Sequence, residues 1–75
     1  MIRYKIDVLK ELNDRGITST RIRDENLIPG QTFFNIKQGK SITMNTLNKL
    51  CLLLRMQPGD IIEVVPTDEE KLKYF

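Results

Sequence analysis

The chain contains no histidine and no tryptophan, a single cysteine, and no apolar run of membrane-spanning length. Each absence excludes something. Without histidine the commonest general base and metal ligand is missing, and the carboxylates fall on ordinary polar helix positions, so an enzyme is not expected. Cys51 stands alone in the apolar stretch Leu50 to Leu54. It cannot close an intrachain disulfide, has no Cys or His partners for a zinc site, and reads as a small core hydrophobe. No metal and no cofactor are implied. A membrane helix needs roughly 18 consecutive apolar residues. The N-terminus instead alternates Ile2, Arg3, Tyr4, Lys5, Ile6 and Asp7, where a signal peptide would carry a continuous apolar segment. A cytoplasmic location with no membrane partner is the expectation.

What is present suits one small soluble domain. A chain of 75 residues supports a single modest core, because a domain of this size buries only about 60 to 65 % of the surface its unfolded chain exposes, and dimerisation would add to it. Hydrophobic residues make up 40 % and charged residues 29 % of the chain, which separates it from disordered and collagenous sequences. The net charge of +2 conceals an asymmetry: residues 1 to 59 carry ten Lys and Arg against five Asp and Glu, and residues 60 to 75 carry two against five. A basic body suits a polyanion, although a normally solvated surface with an acidic tail fits the same charges.

Periodicity and capping chemistry divide the chain. Ile2 to Ile6 alternates as a short strand. Ile6, Leu9, Leu12 and Asn13 then recur at helical intervals, with Gly16 as the stop. Thr18 or Ser19 offers a cap for a short second helix that carries Ile22 inward and ends near Asn26. Pro29 suits the first turn of a third helix over about 29–38, burying Phe33 and Ile36, with Thr32 as a further candidate, and ended by Gly39. Thr43 caps a fourth helix whose Leu47, Leu50, Cys51 and Leu54 form an i, i+3, i+4, i+7 stripe. Pro58 to Asp60 make a turn or helical stub, and Ile61 to Val65 a second strand stopped by Pro66. Thr67 and Glu70 have capping-box spacing for a last helical turn. The expected organisation is a domain over 1–66 followed by an acidic tail or short helix over 67–75.

Two short helices joined by a few residues and flanked by longer ones have the layout of a helix-turn-helix, whose second helix enters the DNA major groove. On the third helix the exposed residues are Gly30, Gln31, Phe34, Asn35, Lys37 and Gln38. Three of these are amides, and an amide can bond both N7 and N6 of adenine.

The sequence resembles the Cro and lambda-repressor-like helix-turn-helix domains, especially the small stand-alone bacterial or phage-type regulators. The residues that carry the resemblance are Arg15-Gly16-Ile17-Thr18, Thr32-Phe33, Ile36 with Gly39, Leu47 through Leu54, and the segment Met56-Gln57-Pro58-Gly59-Asp60-Ile61-Ile62-Glu63, within a span from about Ile2 to Pro66. It implies an all-α fold of five helices with short N- and C-terminal strands. It further implies base-reading positions at Gly30, Gln31 and Asn35, and backbone contacts at Ser19, Thr32, Gln38 and Lys40. Gly30 has no side chain to read with.

Two positions depart from the pattern. Leu27 stands where the turn often has Gly, and Arg23 where the first helix of the pair usually has Ala. Arg23 is expected to lay its aliphatic stem over the core and Arg21 to be solvated. Phe34 could touch a thymine methyl or a partner subunit, or be partly buried against the second helix.

The expected activity is sequence-specific binding of double-stranded DNA as a homodimer, regulating transcription with repression as the expected sign. Activation, antitoxin-like autoregulation and excision control suit the same residues. The rival from another class is a protein-interaction module on the same fold. Phe34 and the modest net charge speak for it, the amide-rich helix face and basic body against it.

Overall fold

The computed structural model describes all residues from Met1 to Phe75. In chain order the elements are β1 (Ile2–Tyr4), α1 (Val8–Asp14), α2 (Ser19–Asp24), α3 (Gly30–Lys37), α4 (Met44–Leu54), α5 (Pro58–Ile61), β2 (Ile62–Val64) and α6 (Asp68–Tyr74). The fold is all-α with one two-stranded antiparallel ribbon, in which Ile2 faces Val64, Arg3 faces Glu63 and Tyr4 faces Ile62. Of the two forms expected for residues 67–75, an acidic tail or a short helix, the helix is the one observed, and it follows the five helices of the preceding residues.

Local chemistry sets most of the boundaries. Thr18, Thr43 and Thr67 each accept a bond from the N–H three residues on, so α2, α4 and α6 begin where a hydroxyl can satisfy an otherwise free amide. For α2 the cap is Thr18, and Ser19 is already helical. Asp7 does the same for α1 through the N–H of Lys10 at 3.2 Å. That cap ends β1 at Tyr4 and moves the start of α1 past Ile6. The stripe of α1 is accordingly centred on Val8 and Leu12, which are buried, while Ile6 and Leu9 are half-buried and Asn13 is exposed. Pro29 occupies the position before α3 and not its first turn.

The core joins Val8, Leu12, Ile17, Ile22, Ile28, Ile36, Leu47, Leu50, Leu54 and Ile61. Helix α1 packs on both α3 and α4, and α5 on α4. Cys51 is half-buried beside this core. Ile61, expected in the second strand, is instead the last residue of α5 and is fully buried, so β2 begins one residue later. The cause is the α5 turn, where Asp60 Oδ2 accepts from the N–H of Gln57 at 3.1 Å and carries Ile61 inward. Helix α6 is tied at its base by a capping box between Thr67 and Glu70 and by the Met1 amino group, which bonds Glu70 and the Val65 carbonyl. It buries none of its residues. No helix is long and apolar enough to cross a membrane.

Candidate nucleic-acid interface

Helices α2 and α3 are held as a pair by the turn between them. The N–H of Leu27 donates to the Ile22 carbonyl at 3.0 Å and that of Asn26 to the Arg23 carbonyl at 3.2 Å, the two bonds that close a helix through a left-handed residue. That residue is Asn26, with φ 51°. Asparagine tolerates this conformation better than other side chains. The turn therefore needs no glycine at Leu27, which is half-buried, and the following Ile28 enters the core. The departure seen at Leu27 is absorbed one residue earlier.

The phase of α3 follows from Ile36, buried, and Phe33, half-buried. With those turned inward, Gly30, Gln31, Phe34, Lys37 and Gln38 are exposed, and Thr32 and Asn35 are half-buried at the edges of the exposed face. Gln31 and Asn35 lie one turn apart, and Gln31 Nε2 donates to Asn35 Oδ1 at 3.1 Å. The bond leaves Gln31 Oε1 and the Asn35 amide nitrogen to outside partners. Gly30 is exposed at the first position of α3 and contributes backbone only. Ser19 is exposed at the first position of α2.

Gln38 caps the C-terminus of α3, and Gly39, at φ 72°, takes the left-handed position that ends it. The N–H of Lys40 then donates to the Asn35 carbonyl at 2.8 Å, so Lys40 is fastened to the last turn of α3. Its ammonium lies 5.7 Å from the centre of the Phe34 ring. Phe34 is 48 % exposed and carries this cation over its ring.

Charge separates this face from its neighbours. Lys10, Arg15, Arg21 and Arg23 are each paired with a carboxylate, Arg21 with Glu25 at 2.6 Å and Arg23 with Asp24 at 3.8 Å. Arg21 is thus engaged on its own helix rather than simply solvated. Arg23 is 79 % exposed. Its stem does not close over the core as expected: the guanidinium turns to Asp24, and a groove lined by Ile22, Arg23, Ile28 and Phe33 stays open between α2 and α3. Lys37 and Lys40 have no carboxylate partner. From Asn26 to Gly59 there is no Asp or Glu at all, and this span holds α3, the turn after it and α4. Totals over the whole body concealed this stretch, which is the sequence signal for Lys37 as a candidate beside Lys40. Nothing in the sequence marks the Phe34–Lys40 contact.

The structure thus brings Gly30, Gln31, Thr32, Asn35, Gln38 and Lys40 together on or beside one helix, with Ser19 on the neighbouring one. The arrangement is a convex polar helix face edged by unpaired cations, and such a face can place amides against base edges and cations against phosphates.

Residues 7–67 match the family model of the Cro/C1-type HTH DNA-binding domain. Neither a curated protein nor a solved structure matches the chain.

Proposed function

The chain belongs to the Cro/C1-type helix-turn-helix DNA-binding family, and from that premise we propose that it represses transcription by occupying an operator read through α3. DNA binding and a part in transcription regulation follow from membership. The observation that carries the finer reading is the hydrogen-bonded pair Gln31–Asn35 on a helix face without acidic residues. In this reading Gln31 and Asn35 contact base edges, the Gly30 backbone allows close approach to the groove, and Ser19, Thr32, Gln38 and Lys40 contact the DNA backbone. Lys37 joins the last group. Phe34, the residue that would favour a protein partner on the same face, carries the Lys40 cation above its ring and is no bare apolar patch.

The working unit in this reading is a cytoplasmic homodimer. One recognition helix covers too few base pairs to stand out against a genome of competing sites, so two copies are needed. The ribbon supports such an association. Residues paired across an antiparallel ladder share a face, and so do residues two apart along a strand. Ile2 and Val64 therefore lie on the same face as the half-buried Tyr4 and Ile62, yet are 61 % and 66 % exposed. The apolar face of the ribbon overhangs the core, and each of its two strands has one edge without a strand partner, which a second copy could cover. Residues 1–66 are the DNA-binding domain and 67–75 an appended helix, a division supported by the lack of any buried residue in α6.

Selection from a pool of random duplexes, followed by sequencing of the retained DNA, tests the reading. Recovery of an inverted repeat with half-sites about 10 base pairs apart is the expected result. Retention without enrichment of any sequence would overturn operator recognition.

A further inference from the structure

Few hydrogen bonds hold the turn between α3 and α4, in which Ile42 packs half-buried against the core. Ser41 and Ile42 take part in no backbone hydrogen bond, and residues 40–43 have no regular structure. The exception is Lys40, whose backbone is fastened at both ends. Its N–H reaches back to α3, and its carbonyl accepts a bond at 2.9 Å from the hydroxyl of Tyr4, 36 residues away on β1. Tyr4 is itself fixed, with its ring against the core and its strand paired to β2. A groove lined by Tyr4, Asn35, Gly39, Lys40, Ile42 and Ile62 separates β1 from the turn, and the hydroxyl bridges it. Burial raises the Tyr4 pKa above its ordinary value, so the hydroxyl keeps the proton it donates throughout the neutral range.

We propose that Tyr4 is a positioning residue for DNA binding, its hydroxyl anchoring the Lys40 backbone so that the Lys40 ammonium is held beside the exposed face of α3. The inference rests on the reading that this face meets DNA. Lys40 projects from the only point of the turn with a long-range hydrogen bond, and its ammonium sits over Phe34 on the same face as Gln31 and Asn35. Without the bond, the turn from Lys40 to Thr43 would be held at its helical ends and by Ile42, with no hydrogen bond to fix the carbonyl side of Lys40. The ammonium would then sample a wider volume and incur an ordering cost on each encounter with a phosphate. The bond also makes the N-terminal strand part of the interface without itself touching DNA.

The test is a double-mutant cycle of Tyr4→Phe and Lys40→Ala, read as affinity and as salt dependence on one duplex. Tyr4→Phe keeps the ring and its packing and removes only the hydroxyl. Alone, it should weaken binding by up to about fivefold, the worth of one neutral hydrogen bond, and lower the slope of log affinity against log salt. In the Lys40→Ala background it should change neither, since the residue it positions is gone. The ratio of affinities for the selected site and for random duplex should be preserved in Tyr4→Phe. A cycle in which Tyr4→Phe costs the same with and without Lys40 would show a general effect on the fold and overturn the proposal. So would a Tyr4→Phe protein that binds as the parent does while Lys40→Ala weakens binding, a result that leaves the DNA reading standing. If Lys40→Ala changes neither affinity nor slope, the proposal fails because Lys40 lies outside the interface. The DNA reading itself is then judged by Gln31→Ala on the same duplex.

Discussion

The Gln31 amide donates to the Asn35 side-chain oxygen across one turn of α3, at 3.1 Å. Each amide fixes the other, so their remaining donor and acceptor face outward in a set orientation instead of rotating independently. Preorganised polar groups lose less freedom on binding than mobile ones.

Replacing Gln31 or Asn35 by Ala should weaken binding to the selected site by roughly 1 to 3 kcal/mol while sparing random duplex. Because the two side chains touch, the double variant should lose less than the sum of the single losses. Titration of the three variants on both duplexes measures this. Equal losses on specific and random DNA would remove the pair from base reading.

Lys40→Ala should lower affinity on every sequence and reduce the log-log salt slope by about one unit. Lys37→Ala should do the same, since Lys37 is exposed on the same helix and also lacks a carboxylate partner. Arg21→Ala is the control, because its guanidinium is engaged with Glu25. Titrations at several salt concentrations should show an Arg21→Ala slope close to that of the parent.

Val64→Asp should weaken self-association and operator binding together, by placing a charge on the overhanging face of the ribbon. The side chain is already exposed, so the monomer fold should survive, as circular dichroism can verify. A parent protein that sediments as a monomer at high concentration and binds a non-repeated site one to one would end the dimer reading.

Arg55 holds a left-handed conformation, φ 55°, at the end of α4, where no side chain is favoured. Relief of roughly 1 to 2 kcal/mol of strain outweighs the roughly 0.4 to 1 kcal/mol of chain entropy that glycine adds to the unfolded state. Arg55→Gly should therefore stabilise the domain by about 0.5 to 1 kcal/mol and raise its Tm by several degrees. Asn26→Gly should gain less, because asparagine tolerates the same region. A thermal melt in which Asn26→Gly gains more would contradict this ordering.

Glu70 titrates below the ordinary carboxylate range, first because the N-terminal amino group donates to it and then because the Thr67 backbone does. A carboxyl with a depressed folded pKa stabilises the fold above its unfolded pKa, and the contribution is lost as pH falls through the folded value. At neutral pH the parent should hold α6 more firmly than Glu70→Gln. The difference should vanish at the acid end of the carboxylate range. Amide exchange of residues 68–74 against pH measures it, and a gap that persists in acid would mean that Glu70 acts through something other than its charge.

Much of the fold is legible in the residues because it is decided within a turn or two of chain. Thr18, Thr43 and Thr67 cap the helices that follow them, Gly39 ends α3, and the spacing of Leu47, Leu50 and Leu54 sets the buried face of α4. Capping and helical periodicity need only three or four neighbours, and these are present in the sequence. The same locality makes the polar face of α3 readable, since burying Phe33 and Ile36 turns Gln31 outward. The absence of acids from Asn26 to Gly59 is equally a property of sequence.

Other features depend on how the elements meet. β-branched composition marks Ile61 as a strand residue, but the α5 turn carries it into the core. Arg23 has a stem suited to covering apolar surface, but its guanidinium turns to Asp24 and leaves the groove over Ile22, Ile28 and Phe33 open. The Tyr4 hydroxyl finds the Lys40 carbonyl only because β1 pairs with β2 beside the end of α3, bringing together residues 36 apart in the chain. No local rule contains that contact. A cap or an apolar stripe is settled by the geometry of one helix, whereas a contact between distant segments is settled by where each element comes to rest when all of them bury side chains in one shared core.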